Sequence, residues 1–265
     1  MSTSTAPGWE KWAAWNEQQQ RPIIEWLVEH AAIRAGHTVL DLASGVGQPA
    51  IEAARRGARV IASDIAADML AGCERRAKAS GVTLELRELD MHDLRGVADS
   101  SVDAVTLGFA LMFSPEPVKV MREIHRVLKP GCSFALAVWD EPAKNPYFTT
   151  LFGALGPFIA MPPPKPDAPG PFRLSPPGEL ERVIRAGGFE QVTVEAVPTP
   201  YRFDSLDQHF EVTADMAAPL KRALVDMPPA TVQQLRAALA TALAPFSVGD
   251  GLSLLTTPLC ASGRK

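Results

Sequence analysis

Asp41, Ser44, Gly45 and Gly47 lie close together in the stretch VLDLASGVGQPA, residues 39–50. An apolar strand there runs into a glycine turn and then a helix start. Turns of this kind bring bare backbone amides up to a nucleotide-like group, because no side chain blocks the approach. A phosphate-cradling loop of the form GxxxxGK[ST] is excluded, since Gln48 and Pro49 follow Gly47. A dinucleotide turn, GxGxxG/A, is formally met by Gly45, Gly47 and Ala50, with an acid, Asp64, about twenty residues further on.

Asp41 discriminates between the remaining possibilities. It ends the first strand and points into the ligand crevice. Beside a pyrophosphate its carboxylate would meet like charge in a poorly solvated place; beside a cationic amine it would be favourable. S-adenosylmethionine carries an ammonium and a sulfonium and no phosphate. An acid at this position therefore favours it over NAD.

The elements that must position these residues follow from patterning. Thr38–Leu42, Arg59–Ser63, Val82–Leu89, Val102–Leu107 and Ser133–Trp139 read as strands. Gln48–Arg56, Ala67–Ser80 and Glu116–Leu128 read as the intervening helices, closed by Gly57, Gly81 and Pro130-Gly131. Such alternation predicts an α/β fold, a doubly wound, mostly parallel sheet that binds ligands at the carboxyl ends of its strands. Gln191–Val197 and Leu252–Ala261 are expected as sixth and seventh strands. Residues 9–34 read as helical, with Trp9, Trp12 and Trp15 spaced by three. Residues 205–246 read as two helices split by Pro228-Pro229, a helical cap inserted between the last two strands.

Four segments are thus predicted: a helical lid over 1–36, a cofactor-binding core over 37–140, a Pro-rich substrate-side segment over 141–178, and a C-terminal part of the sheet over 179–265. Phe148, Phe152, Phe158, Met161, Phe172, Phe210 and Met216 give the covering segments an apolar, aromatic character, which suits a small and fairly apolar acceptor.

In combination, D-L-x-S-G-x-G after the first strand, an acid after the second, Asp90-Met91 after the third and V-L-K-P-G before the fifth resemble the class I S-adenosylmethionine-dependent methyltransferases. The resemblance is to the small-molecule branch that includes the ubiquinone/menaquinone C-methylases, and it covers residues 20–140. It implies the Rossmann-like methyltransferase fold, with S-adenosylmethionine as cofactor and S-adenosylhomocysteine as product. It also implies roles. The backbone of Ser44, Gly45 and Gly47 approaches the methionine part, and Asp41 faces the amino group directly or through water. Asp64 accepts from both ribose hydroxyls. Ile65 and Met91 pack the adenine, Asp90 accepts from its amine, with Asp93 near enough to substitute, and Phe109 lines the methionine side. The usual first glycine is Ala43 here, and Cys132 replaces a glycine after V-L-K-P-G.

Residues for acceptor chemistry are fewer. His209 in the cap, Tyr147 and Tyr201 are the candidates for a general base. Methyl transfer from a sulfonium depends chiefly on placement and water exclusion, so no obvious dyad is required. Two other functions share the motifs: a protein that binds S-adenosylmethionine without transferring methyl, and, against Asp41, an NAD(P)-dependent oxidoreductase.

Composition narrows the partners. Net charge is −4 and the basic residues are scattered, which argues against a nucleic-acid partner. The three cysteines, Cys73, Cys132 and Cys260, form no C-x-x-C pair, so neither a metal site nor a disulfide framework is expected. No membrane span and no secretory signal are read, and a cytoplasmic location is expected. The carbon, oxygen or nitrogen identity of the methylated atom and the oligomeric state are not encoded in these patterns.

Overall fold

The computed structural model of the chain describes residues 4–159 and 168–265. Met161 and the Pro162–Pro164 run therefore lie outside the described residues. The N-terminal segment forms α1 (Ala6–Lys11), α2 (Ala13–Gln19) and α3 (Arg21–His30). The core follows as β1 (Thr38–Leu42), α4 (Ala50–Arg55), β2 (Arg59–Asp64), α5 (Ala67–Ala79), β3 (Glu85–Glu88), β4 (Val102–Gly108), α6 (Pro117–Val127) and β5 (Leu128–Trp139). Then come α7 (Pro146–Leu155), α8 (Glu179–Ala186), β6 (Glu190–Ala196), β7 (Thr199–Phe203), α9 (Leu206–Met216), α10 (Ala218–Val225), α11 (Pro229–Leu243), β8 (Ser247–Val248), β9 (Gly251–Thr256) and β10 (Pro258–Arg264).

The main sheet has seven strands in the order β3-β2-β1-β4-β5-β10-β6. Its first five run parallel, and β10 is antiparallel to both β5 and β6. Helices cover both faces, so the inner strands are buried on both sides and read as near-continuous apolar runs. Along β1 the faces alternate: Leu40 and Leu42 pack into one core with α6 and α8, while Val39 packs into the other with α3. In α6, Val120, Met121, Ile124 and Val127 are buried at helical spacing, and Pro117 occupies the first turn, where its missing N–H costs nothing.

Three departures from the sequence-based expectation concern the C-terminal part. Leu252–Ala261 is not one strand. It divides at Thr257 into β9 and β10, which belong to different sheets. The second sheet, β7-β9-β8, is antiparallel and contains a strand, Thr199–Phe203, that the prolines at 198 and 200 conceal. The cap holds three helices rather than two, with a break at Ala217 as well as at Pro228.

Near the N-terminus the helix breaks at Trp12. That break resolves the three-residue tryptophan spacing, which no continuous α-helix keeps on one face. Trp9 and Trp15 turn toward the interior cavity, whereas Trp12 Nε1 donates to Asp215 Oδ2 on α9 at 2.8 Å. Ion pairs fasten this cover to the core: Glu10 to Arg75 at 2.6 Å, and Glu17 to Arg55 and Arg76 at 2.9 and 2.8 Å. Lys11 pairs with Asp215 at 2.9 Å on the cap side. Gly8 lies against the Asp215 backbone so closely that a Cβ there would fall 2.3 Å from the carbonyl oxygen.

Candidate active site

A cavity of about 520 Å³ opens at the carboxyl ends of β1 and β4. One side is built by the turn after β1 (Ala43, Ser44, Gly45) and by Asp64 at the end of β2. The other is aromatic, with Phe109, Trp139, Tyr147, Phe148 and Tyr201 on its wall and Trp15 above. A volume of this order suits a small-molecule site.

The turn is locally determined. Ser44 Oγ donates to the Asp41 carbonyl at 2.9 Å and accepts from Ser63 N at 3.0 Å, which ties the turn to β2. Gly45 has φ +52° and a Cβ added to it would meet nothing within 4 Å, so the backbone lies open to the cavity. Gly47 has φ +103° and is required from below: a Cβ would press on Cys73 Sγ and Ile51 Cδ1 at 3.0 Å. Ala43 takes φ +49°, a left-handed conformation that costs a residue with a Cβ about 1 kcal/mol or more. Phe109 does the same with φ +55° and stacks on Trp139 at 4.3 Å.

Asp64 holds the turn and retains capacity for a ligand. Its Oδ2 accepts from Gly45 N and its Oδ1 from Ala66 N, both at 2.9 Å. Each carboxylate oxygen has a second lone pair, so two further donors can be accommodated.

Asp41 lies beneath the turn rather than on the cavity wall. The sheet register sets it beside Ala62 of β2 and Thr106 of β4, and Thr106 Oγ1 donates to its Oδ1 at 2.6 Å. Its Oδ2 is buried without a hydrogen-bond partner. Burial raises its pKa to about 7, against the Thr106 and Ser44 hydroxyls and the Ala50 amide, which favour the ionised form. An unpartnered, buried carboxylate oxygen under an open glycine turn fits a nearby cationic group and not a pyrophosphate.

The other residues expected in the cofactor site stand apart from this cavity. Ile65 projects outward and is 68% exposed, and Met91 packs partly buried against the core. Neither lines the cavity, and neither do Asp90 and Gly47. Asp90 is engaged by His92, whose backbone N and ring Nδ1 lie 2.9 and 2.6 Å from its Oδ1. The His92 amide foremost holds the Asp90 carboxyl below its ordinary range. His92 Nε2 continues the chain to Ser114 Oγ at 2.7 Å.

Of the three candidate bases, the structure brings Tyr147 and Tyr201 to the cavity and not His209. His209 is fully buried behind Tyr147, with ring centroids 4.8 Å from Phe203 and 5.9 Å from Tyr147. Neither ring nitrogen has a hydrogen-bond partner, and burial lowers its pKa to about 4. It stands in the cap core, as a neutral ring. The reason is its place on α9, where Phe210, Val212 and Thr213 are also turned inward. Burial also raises the pKa values of Tyr147 and Tyr201, so both phenols are neutral donors at physiological pH rather than bases.

Sequence reasoning passed over Asn16 and Gln20. Within the helical segment 9–34 neither was given a role, yet both are buried, 5% and 9% exposed, and both line the cavity. The available signal was their i, i+4 spacing from each other, which sets the two carboxamides on one helix face.

Comparison with known proteins decides what kind of domain carries this site. Residues 40–136, from the middle of β1 to the middle of β5, match the family model described as a methyltransferase domain. Over those residues the chain resembles a methyltransferase domain. Within it fall the glycine turn, Asp41, Asp64, Asp90 and Phe109. The ubiquinone/menaquinone biosynthesis C-methyltransferase of Rubrivivax gelatinosus is 35% identical over 143 residues, 52% of this chain and 55% of that protein. The demethylmenaquinone methyltransferase of Thermus thermophilus is 32% identical over 137 residues, 50% of this chain and 62% of that protein. An uncharacterized protein of Mycobacterium tuberculosis is 35% identical over 147 residues, 56% of this chain and 52% of that protein. The chain thus spans about half the length of the curated relatives it matches. Among solved structures, the YcgJ protein of Bacillus subtilis superposes with a TM-score of 0.61 at 19% identity, over 91% of this chain and 97% of that one. The cyclase SpnF does so with 0.57 at 20% identity, over 91% and 79%. These likenesses show that the Rossmann-like fold extends beyond the matched segment. Among the described residues no helix is long and apolar enough to cross a membrane.

Proposed function

We propose that the chain transfers a methyl group from S-adenosylmethionine to a small, largely apolar acceptor. The observation that carries this reading is the continuity of one cavity from the methyltransferase domain's glycine turn and Asp64 to an aromatic wall supplied by α2, α7 and β7. Bound S-adenosylmethionine supplies an electrophilic methyl on a good thioether leaving group. The chain supplies the rest. Ser44 and Gly45 present backbone to the methionine part, Asp64 takes the ribose hydroxyls on its free lone pairs, and Asp41 provides negative charge beneath the amine. Ile65, Met91 and Asp90, which stand outside the cavity, would meet the adenine only where it extends beyond it. Phe109, Trp139 and the α1–α2 cover exclude water from the line of transfer.

Tyr147 and Tyr201 act as neutral hydrogen-bond donors toward the acceptor, and His209 supports Tyr147 from behind. The aromatic half therefore orients a nucleophile rather than deprotonating it. The acceptor is a small molecule, not a nucleic acid, given the net charge of −4. Three free thiols and no disulfide fit the reducing cytoplasm.

A second reading keeps the cofactor and drops the transfer. The fold shared with a cyclase supports it. The test is calorimetric titration with S-adenosylhomocysteine, NAD and NADP, followed by a turnover assay for S-adenosylhomocysteine over a panel of phenols, enols and amines. Micromolar binding of S-adenosylhomocysteine alone, weakened at least tenfold in Asp64→Ala, is expected. Product formation with any acceptor then supports transfer. Tight binding of a dinucleotide instead would overturn the proposal.

A further inference from the structure

The aromatic half of the cavity contains one polar spot. Asn16 and Gln20 sit one helical turn apart at the end of α2, with Gln20 N bonded to the Asn16 carbonyl at 2.9 Å. Gln20 Nε2 donates to Tyr201 Oη at 2.8 Å. Tyr201 Oη accepts from Gln20, and among the described residues no hydrogen bond uses its own proton. The Asn16 side chain is 5% exposed and likewise bonds to no described protein group, although it lines the same cavity. The Asn16 carboxamide and the Tyr201 hydroxyl proton thus face the cavity with hydrogen-bonding capacity to spare, which a molecule filling the cavity can meet.

The surroundings define what that something is. Apart from Asp64 on the far side, no charged side chain lines the cavity among the described residues. A carboxylate or phosphate on the acceptor would find no counter-ion among the described residues. The aromatic rings are also packed on one another rather than open as a cage. Phe109 stacks on Trp139 at 4.3 Å, Phe148 meets its edge at 4.8 Å, and Trp15 meets the edge of Tyr201 at 5.8 Å. Packed rings offer slots to a flat ring rather than free faces to a cation.

We propose that Asn16 and Tyr201, the latter held by Gln20, read a hydroxyl or carbonyl oxygen on an uncharged aromatic acceptor. The inference rests on the acceptor site proposed above and assigns its specificity to the N-terminal cover. Tyr201 donates to the oxygen, and the Asn16 carboxamide either donates to it or accepts from a hydroxyl.

The test uses the full chain saturated with S-adenosylhomocysteine, with tryptophan fluorescence quenching as readout, because Trp15 and Trp139 line the cavity. The probes are 2-naphthol, naphthalene, 2-naphthoate and a naphthylmethyl trimethylammonium. The expected order is 2-naphthol at least tenfold tighter than naphthalene, with the carboxylate and the cation weaker than either. Asn16→Leu and Tyr201→Phe are each expected to weaken 2-naphthol about five- to tenfold while leaving naphthalene within twofold. S-adenosylhomocysteine affinity, measured separately, reports that each variant folds and that the cofactor reading holds. Equal binding of naphthol and naphthalene, no binding of 2-naphthol at millimolar concentration, preference for either ion, or variants that leave the naphthol-to-naphthalene ratio unchanged would overturn the inference. None of these outcomes would disturb the cofactor reading, whose own failure is loss of S-adenosylhomocysteine binding in the unmodified protein.

Discussion

Replacing Asp41 by asparagine separates stability from ligand binding. Burial raises the carboxyl pKa from 3.8 to about 7. Between those values the native state holds a proton that the unfolded chain has released, so stability falls as pH rises through the window and the loss is complete above about 7. Three units at about 1.4 kcal/mol each give a cost of about 4 kcal/mol at pH 8. Asparagine removes that cost. Its carbonyl still accepts from Thr106, but its amide nitrogen inherits the unpartnered position of Oδ2, a penalty of about 1–3 kcal/mol. The ligand-free variant is therefore expected to be about 1–3 kcal/mol more stable than the parent at pH 8 and no more stable at pH 5. Binding moves the other way. A ligand ammonium about 6 Å from the carboxylate at an effective dielectric of 20 gains about 3 kcal/mol. Calorimetry at pH 8 should show S-adenosylhomocysteine bound tens- to a hundredfold more weakly by the variant. For the parent, the ionised fraction of Asp41 rises about tenfold between pH 6 and pH 8, and affinity should rise with it; the variant should be flat. An unchanged dissociation constant, or a flat profile in the parent, would refute the placement of the amine above Asp41.

Further outcomes follow from the same geometry. His209→Leu removes two unpartnered ring nitrogens from an apolar environment and should raise the denaturation midpoint, by about 1 kcal/mol or more, with turnover within threefold of the parent; a loss of a hundredfold or more with retained stability would make His209 a base after all. Ala43→Gly relieves a left-handed φ of +49° at a modest entropic cost in the unfolded chain, so urea denaturation should show a gain of about 0.5–1 kcal/mol. Destabilisation by that variant would mean that the turn is held by the Ala43 methyl rather than strained by it.

The core and its cofactor-side turn were legible because their signals are local. An apolar run, a glycine turn and an acid at the end of the next strand lie within a few tens of residues, and each restricts its own backbone. That is why β1, β2, β4 and α6 fall where the patterning puts them, and why Ser44, Gly45, Asp64 and Phe109 meet at one cavity. Where two partners compete for one apolar run, local pattern is silent. Leu252–Ala261 is a largely apolar run marked only by Thr256-Thr257-Pro258, and its pairing with β7 on one part and β5 on the other divides it.

The amino-acid sequence by itself determined the doubly wound sheet, the glycine turn and the resemblance of residues 40–136 to a methyltransferase domain. Only the tertiary structure decided the acceptor side. Asn16 and Gln20 look solvated until α2 lies against β7, and His209 looks available until α9 turns it into the cap. Hydrophobic periodicity records which face of an element is apolar. It does not record which polar side chain the packing of distant elements will enclose, because that depends on contacts between residues nearly two hundred positions apart.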